Sequence, residues 1–118
     1  MKINGKKVYI DDGGTTPILL NDRTLVPIGV FARYMDGDVL WDEDRRRVTI
    51  TIKGITLEMQ IENNTLKITE DGATKEKEFD VAPIIYNSRT MVPIRTFECF
   101  ECSFSWDDSG EVTMKYPL

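Results

Sequence analysis

The feature that most constrains the fold is an internal sequence duplication. Residues 17–28 return as residues 83–94, with eight of the twelve positions identical. The similarity continues downstream, where Trp41-Asp42 returns as Trp106-Asp107 and residues 48–50 return as residues 112–114. A spacing near 65 residues in three separate blocks indicates a duplicated structural unit. We therefore expect the residues present in both copies to serve the folding of that unit rather than catalysis.

The length of the chain predicts one domain built from two repeats. With 118 residues, 41% of them hydrophobic and 30% charged, the composition is that of a soluble globular protein. A chain of this size buries enough surface for one core but not for two independent ones. We place the repeats at about residues 1–61 and 62–118 of a single domain, residues 1–118.

Hydrophobic periodicity predicts an α+β fold, with antiparallel sheet curled around two short helices. The first helix begins at Pro27, ends at Asp36-Gly37 with a left-handed glycine cap, and has an apolar face of Ile28, Phe31, Ala32 and Met35. Residues 48–61 alternate as a hairpin. In the second copy a charged loop surrounds Asp71-Gly72, and a helix starts at Pro93. Its end should be irregular, because Glu101 stands where a glycine cap is expected.

The residues repeated around each helix are the predicted structural core. Pro27 and Pro93 begin the two predicted helices, while Trp41 and Trp106 follow the helices on predicted strands. Each tryptophan shares a strand face with an apolar residue two positions earlier. We interpret both indoles as core anchors rather than as platforms for stacking sugars.

Arg23 and Arg89 are the candidate ligand-binding residues. Each lies in a turn just before a helix and is followed by a threonine. In one interpretation the guanidinium ties its turn to carbonyl groups or to an acid such as Asp42 or Asp107. In the other, the two arginines bind an anionic ligand, assisted by the helix N-termini.

Composition argues against an enzyme. The chain has no histidine, which removes the usual general base near neutral pH, the histidine-activated nucleophiles and an imidazole copper site. No acidic cluster matches the calcium loop pattern, so we expect neither a metal nor a cofactor.

A net charge of −5 argues against binding nucleic acid, and Arg45-Arg46-Arg47 follows three acidic residues that offset its charge. No apolar run approaches the length of a membrane span.

Cys99 and Cys102 have the spacing of a redox motif but an unfavourable position. Such motifs work at a helix N-terminus, where the dipole lowers the thiol pKa, and these cysteines lie at a predicted helix C-terminus. We expect small buried side chains. A local disulfide and redox or metal chemistry remain the alternatives, and two thiols alone do not complete a zinc site.

The repeated motif resembles the copper amine oxidase N-terminal-like domain, also called the stalk domain. The resemblance rests on Asn-x-Arg-Thr-(Leu/Met)-Val-Pro-Ile, followed by Trp-Asp and by Val-Thr-(Ile/Met), and it covers nearly the whole chain. It implies tandem repeats of antiparallel sheet wrapped on a helix, and a non-catalytic module of secreted or surface proteins of Gram-positive bacteria.

Three functional hypotheses follow from this resemblance. The first is an extracellular spacer or protein-interaction element, the second a binding module for cell-wall glycan or another surface polymer, and the third an accessory domain of a larger enzyme. An exposed aromatic cluster beside Arg23 or Arg89 would favour the second.

Open strand edges predict homo-oligomers. Residues 1–5 do not read as a signal peptide, so the extracellular location rests on the resemblance.

Overall fold

The computed structural model describes residues 1–117, which form short strands, one α-helix and one 3₁₀ helix. The first half contains β1 (Lys2–Ile3), β2 (Lys6–Lys7), β3 (Ile18–Leu20), β4 (Arg23–Pro27), α1 (Ile28–Tyr34), β5 (Asp38–Asp42), β6 (Arg47–Ile52) and β7 (Ile55–Gln60). The second half contains β8 (Thr65–Glu70), β9 (Ala73–Glu78), β10 (Ile84–Tyr86), β11 (Arg89–Pro93), the 3₁₀ helix (Ile94–Phe100), β12 (Ser103–Trp106) and β13 (Val112–Lys115). The expected α+β class is confirmed.

The strands form three sheets within residues 1–117. Their strand orders are β10-β11-β4-β3, β12-β13-β1-β2 and β5-β6-β7-β8-β9. Neighbouring strands are antiparallel except β1 and β13, which are parallel. The hairpin expected over residues 48–61 is present as β6 and β7. Along both strands, buried side chains alternate with more exposed ones.

The central sheet joins the two similar sequence segments. β4 and β11 pair antiparallel with Val26 opposite Val92, and each strand ends at a buried proline, Pro27 or Pro93. β3 flanks β4 on one side as β10 flanks β11 on the other. Exchanging the two segments therefore leaves the strand order of this sheet unchanged.

Helix α1 follows the expected apolar pattern, but its end differs from the prediction. The predicted apolar face is buried: Ile28, Phe31, Ala32 and Met35. Asp36, not Gly37, takes the left-handed conformation, with a φ of 52°. At position 37 a glycine is required for a steric reason instead, because a Cβ atom there would lie 2.6 Å from Ile52 Cγ1.

The second helix is a 3₁₀ helix and ends irregularly, as expected. Glu101 caps it in the left-handed conformation, with φ 62° and ψ 48°. The segment from Pro93 to Trp106 is one residue shorter than that from Pro27 to Trp41. A 3₁₀ helix rises further per residue than an α-helix, so a shorter segment spans a similar length.

The larger buried cluster includes residues of both helices, and a second, smaller cluster of Leu25, Val81 and Met91 is separate from it. The rings of Phe31 in α1 and Phe97 in the 3₁₀ helix have centroids 4.7 Å apart, and both side chains are fully buried. This aromatic contact packs the helix of one segment against the helix of the other, and such pairs stabilise a core beyond the area that they bury.

The expectation that both tryptophans anchor the core is wrong. Trp41 is 41% exposed and Trp106 is 39% exposed. The reason is strand order: Trp41 lies on β5 and Trp106 on β12, and each is an edge strand of its sheet. Within the described residues, no neighbouring strand covers the outer flank of either indole.

Candidate binding groove

An open groove of about 540 Å³ lies beside the central sheet. It is lined by residues of β3, β4, the connection after β9, the 3₁₀ helix and β12, including Leu19, Arg23, Asp80, Arg95, Glu98 and Trp106. Both apolar and charged side chains line it. Its size falls in the range of small-ligand sites.

Arg23 lies in this groove and is bound to an acid of the other half of the chain. Its guanidinium bonds the carboxylate of Asp80 and donates to the carbonyl oxygen of Asp22 at 3.3 Å. The hydrogen bond from Arg23 lowers the pKa of Asp80. The predicted tie between arginine and carboxylate exists, but its partner is neither Asp42 nor Asp107.

Arg89 makes the corresponding contact at the other end of the central sheet. Its Nε atom lies 3.1 Å from Asp12 Oδ1, and Nη1 donates to the carbonyl oxygen of Asn87 at 3.4 Å. Because β4 and β11 pair Leu25 with Pro93, the two arginines lie roughly 20 Å apart along the strands. One small anion therefore cannot bridge Arg23 and Arg89 in this conformation.

The two acids expected as arginine partners are engaged locally. Asp42 bonds Arg45 at 3.0 Å, and this bond lowers the pKa of Asp42. Asp107 accepts a bond from Ser109 Oγ at 2.6 Å, which is the largest cause of its lowered pKa. Both carboxylates stabilise turns beside the edge strands rather than the motif arginines.

Trp106 already carries a cation on its indole. The guanidinium carbon of Arg95 lies 4.7 Å from the ring centroid, within range of a cation–π interaction. Arg95 Nη1 also lies 3.2 Å from Glu98 Oε2, one 3₁₀ turn later. The groove thus holds an aromatic ring, a cation on that ring and a carboxylate beside the cation.

The first segment has no equivalent of this arrangement. Gly29 follows Pro27 by two positions, as Arg95 follows Pro93, so no side chain is available to cover Trp41 from there. Trp41 Nε1 instead donates to the carboxylate of Glu43. Two tryptophans of nearly equal exposure therefore lie in different surroundings, and only Trp106 lines the groove described above.

Of the four predicted core residues and two predicted ligand residues, the groove contains Arg23, Pro93 and Trp106. Pro27 is buried, and Arg89 lies at the opposite end of β4 and β11. Arg95 and Glu98 were not expected. They carry no motif, and the only signal is the contrast between Arg95 and Gly29 at matching positions of the two segments.

The two cysteines are free thiols. Cys102 is buried and donates its Sγ proton to the carbonyl oxygen of Phe97 at 2.8 Å. Burial, reinforced by the charges of Glu98 and Cys99, raises the pKa of Cys102 to about 12. Burial also raises the pKa of Cys99. Both thiols stay protonated near neutral pH, which is opposite to what a redox motif requires.

Among residues 1–117, no group of three or more His, Cys, Asp or Glu side chains converges as a metal site. No helix in the same range is long and apolar enough to cross a membrane.

Comparison with known proteins identifies a family. A family model described as the copper amine oxidase N-terminal domain matches residues 2–114. Comparisons with curated proteins and with solved structures gave no match. The family is named after copper enzymes, but the residues of this chain do not fit a copper site. The chain has no histidine, and its described residues form no cluster of metal ligands.

Proposed function

Because the chain belongs to the copper amine oxidase N-terminal domain family, we propose that it is a non-catalytic accessory module that binds a cell-wall glycan. In this proposal the module acts on the outer surface of a Gram-positive bacterium, as the repeated motif implies. The groove beside Arg23 is the binding site, and the two similar segments are two repeats that share one core.

The observation that carries the proposal is the exposed Trp106 in an open groove next to Arg23. When Arg95 moves off the ring, the indole, which is 39% exposed, offers an apolar face against which the C–H groups of a sugar ring can pack. Arg23, Asp22 and Asp80 supply hydrogen-bonding groups at the same groove. An apolar platform with a few polar groups is the usual composition of a specific ligand site.

A protein-interaction role is the second candidate, and a different surface supports it. β5 is an edge strand, and its Leu40 is 70% exposed. Edge strands with apolar side chains can pair with a strand of another chain, including a second copy. Self-association through β5 predicts a mass that rises with protein concentration in analytical ultracentrifugation, and substitution of Leu40 by Lys should abolish that rise. A concentration-independent monomer mass excludes it.

The glycan proposal is tested by co-sedimentation with purified Gram-positive sacculi. Trp106→Ala and Arg23→Ala remove groove side chains. Trp41→Ala and Arg89→Ala are matched controls, because they remove equivalent residues of the other segment outside the groove. All four variants are first checked for folding by circular dichroism and urea denaturation.

We expect saturable binding. Trp106→Ala should reduce the affinity at least tenfold, and Trp41→Ala should leave the affinity within twofold of that of the original protein. Arg23→Ala should weaken binding more than Arg89→Ala. Equal losses in both tryptophan variants, or no saturable binding by the folded protein, would reject the groove as a glycan site.

A further inference from the structure

The arrangement of Arg95, Trp106 and Glu98 indicates what kind of sugar the groove takes. Arg95 places a positive group over the indole, and Glu98 neutralises that group at 3.2 Å. The same aromatic face and carboxylate would accept the cation of a ligand. We infer that the groove binds glycan that carries free, protonated amino groups, that is, de-N-acetylated amino sugar, and that Arg95 occupies the position of the ligand amine until binding. This inference rests on the glycan-binding function proposed above.

The charges around the groove favour a cationic ligand. Three carboxylates line it, those of Asp22, Asp80 and Glu98, against the two guanidinium groups of Arg23 and Arg95. Each arginine is paired with one acid, Arg23 with Asp80 and Arg95 with Glu98. Asp22 adds a further negative charge, and the whole chain has a net charge of −5. An ammonium group that displaces Arg95 takes over its contact with Glu98, so that this carboxylate keeps a cationic partner, whereas an anionic sugar that binds either arginine would leave a carboxylate without one.

Displacement of Arg95 is sterically simple. Its side chain is 52% exposed and Glu98 is 37% exposed, so the guanidinium can rotate into solvent without disturbing the core. An exposed cation–π contact and an exposed ion pair each contribute little free energy. A protonated amine on a sugar would regain both contacts, while the sugar ring packs on the indole. An N-acetyl group would regain neither, because it carries no charge.

The test compares two hexasaccharides that differ only in acetylation: the glucosamine hexamer and the N-acetylglucosamine hexamer. Binding is measured by tryptophan fluorescence on the Trp41→Phe protein, in which Trp106 is the sole tryptophan. A mildly acidic buffer keeps the amines protonated. Arg95→Ala removes the internal competitor, Glu98→Gln removes the carboxylate without changing its size, and a Trp106→Phe protein that retains Trp41 reports signals from outside the groove.

The glucosamine hexamer should bind more tightly than its acetylated form. Arg95→Ala should tighten glucosamine binding about three- to tenfold, since the ligand no longer displaces a cation–π contact and an ion pair. Glu98→Gln should weaken glucosamine binding and leave N-acetylglucosamine binding unchanged. Weaker glucosamine binding by folded Arg95→Ala, or equal binding of the two hexamers, would overturn the inference.

The failure of this inference can be distinguished from the failure of the proposed function. If the acetylated hexamer binds at Trp106 as well as the amine form, or if sacculi bind through Trp106 while neither hexamer binds, the groove remains a glycan site and the preference for amines is wrong. If neither hexamer changes Trp106 fluorescence and Trp106→Ala leaves sacculus binding intact, the glycan function itself is wrong.

Discussion

The Nε atom of Arg89 lies 3.1 Å from Oδ1 of Asp12, so an arginine of the second motif holds the loop that precedes the first. The contact is reciprocal, because Arg23 of the first motif bonds Asp80, which precedes β10 of the second. Each arginine therefore links the two segments at one end of the β4–β11 pair. This crossing explains why each arginine pairs with a carboxylate of the other segment rather than with one of its own.

Arg89→Ala should destabilise the domain more than Arg23→Ala. Arg89 and Asp12 are 35% and 24% exposed, whereas Arg23 and Asp80 are 46% and 65% exposed, so water screens the second pair more strongly. We expect Arg89→Ala to lower the free energy of unfolding by about 0.5–1 kcal/mol, and Arg23→Ala to lower it less. Urea denaturation of the three proteins measures both losses. A larger loss for Arg23→Ala would contradict this order.

Gly13→Ala should destabilise the same loop through two effects. Gly13 has a φ of +59°, and a Cβ atom there would lie 2.4 Å from Arg89 Nη2. An alanine in the left-handed region costs about 1 kcal/mol, and the displaced guanidinium loses its contact with Asp12. Gly72→Ala is the control for the first effect, because Gly72 has a φ of +77° and, its chain neighbours aside, no other atom of residues 1–117 lies within 4 Å of its Cβ position.

The second effect can be isolated by a double-mutant cycle. In an Arg89→Ala background the guanidinium is absent, so Gly13→Ala should cost no more than Gly72→Ala. Urea unfolding of the two single variants and the double variant gives the coupling. Strict additivity would show that Gly13 and Arg89 act independently.

The parts of the fold that depend on local pattern could be predicted from the sequence. The apolar face of α1, and the alternation of apolar and polar residues along β6 and β7, predict which side of each element faces the core. β9 was missed because every residue of it is exposed, so its charged sequence has no apolar alternation and resembles a loop. Its strand conformation comes from pairing with β8.

The candidate site depends on long-range pairing, which local patterns do not contain. The exposure of Trp41 and Trp106 follows from the edge positions of β5 and β12. Each of these strands pairs with the next strand along the chain, and a local pattern does not show that its other side stays unpaired. The partners Asp12 and Asp80 likewise follow from the crossing of the two motifs. Arg95 gains its role only because the 3₁₀ helix places it over β12.

Ser109→Ala should weaken the domain at neutral pH but not in strong acid. Asp107 is the hydrogen-bond acceptor for Ser109 Oγ and for the backbone N–H groups of Ser109 and Glu111, and its pKa is lowered chiefly by the Ser109 side chain. A lowered pKa in the folded state means that the stabilisation is present above the ordinary value of about 3.9 and is lost as the pH falls through the folded value.

The difference in stability between the original protein and Ser109→Ala should therefore shrink steadily below about pH 4. Thermal unfolding across this range measures it, and the Asp107 carboxyl pKa, followed by NMR, should rise in the variant. Ser105→Ala on β12 is the control, since Ser105 is also exposed. A difference that persists unchanged into acid would mean that the hydroxyl stabilises the turn without acting through the charge of Asp107.

Cys102 should react with thiol reagents only when the domain opens. Its thiol is buried, bonds the Phe97 carbonyl oxygen at 2.8 Å and has its pKa raised to about 12, mainly by burial. Since the thiolate is the reactive species, we expect native Cys102 in a Cys99→Ala protein to react at least a hundredfold more slowly at pH 8 than the same thiol in denaturant.

The raised pKa of Cys102 should also make the stability of the domain depend on pH, because the folded state keeps a proton that the unfolded state releases above about pH 8.5. Stability should therefore fall as the pH rises from about 9 toward 12, and Cys102→Ala should reduce this alkaline loss. Ellman's assay and alkaline urea titration test the two expectations separately, and rapid native labelling would show that the Phe97–Cys102 region opens freely.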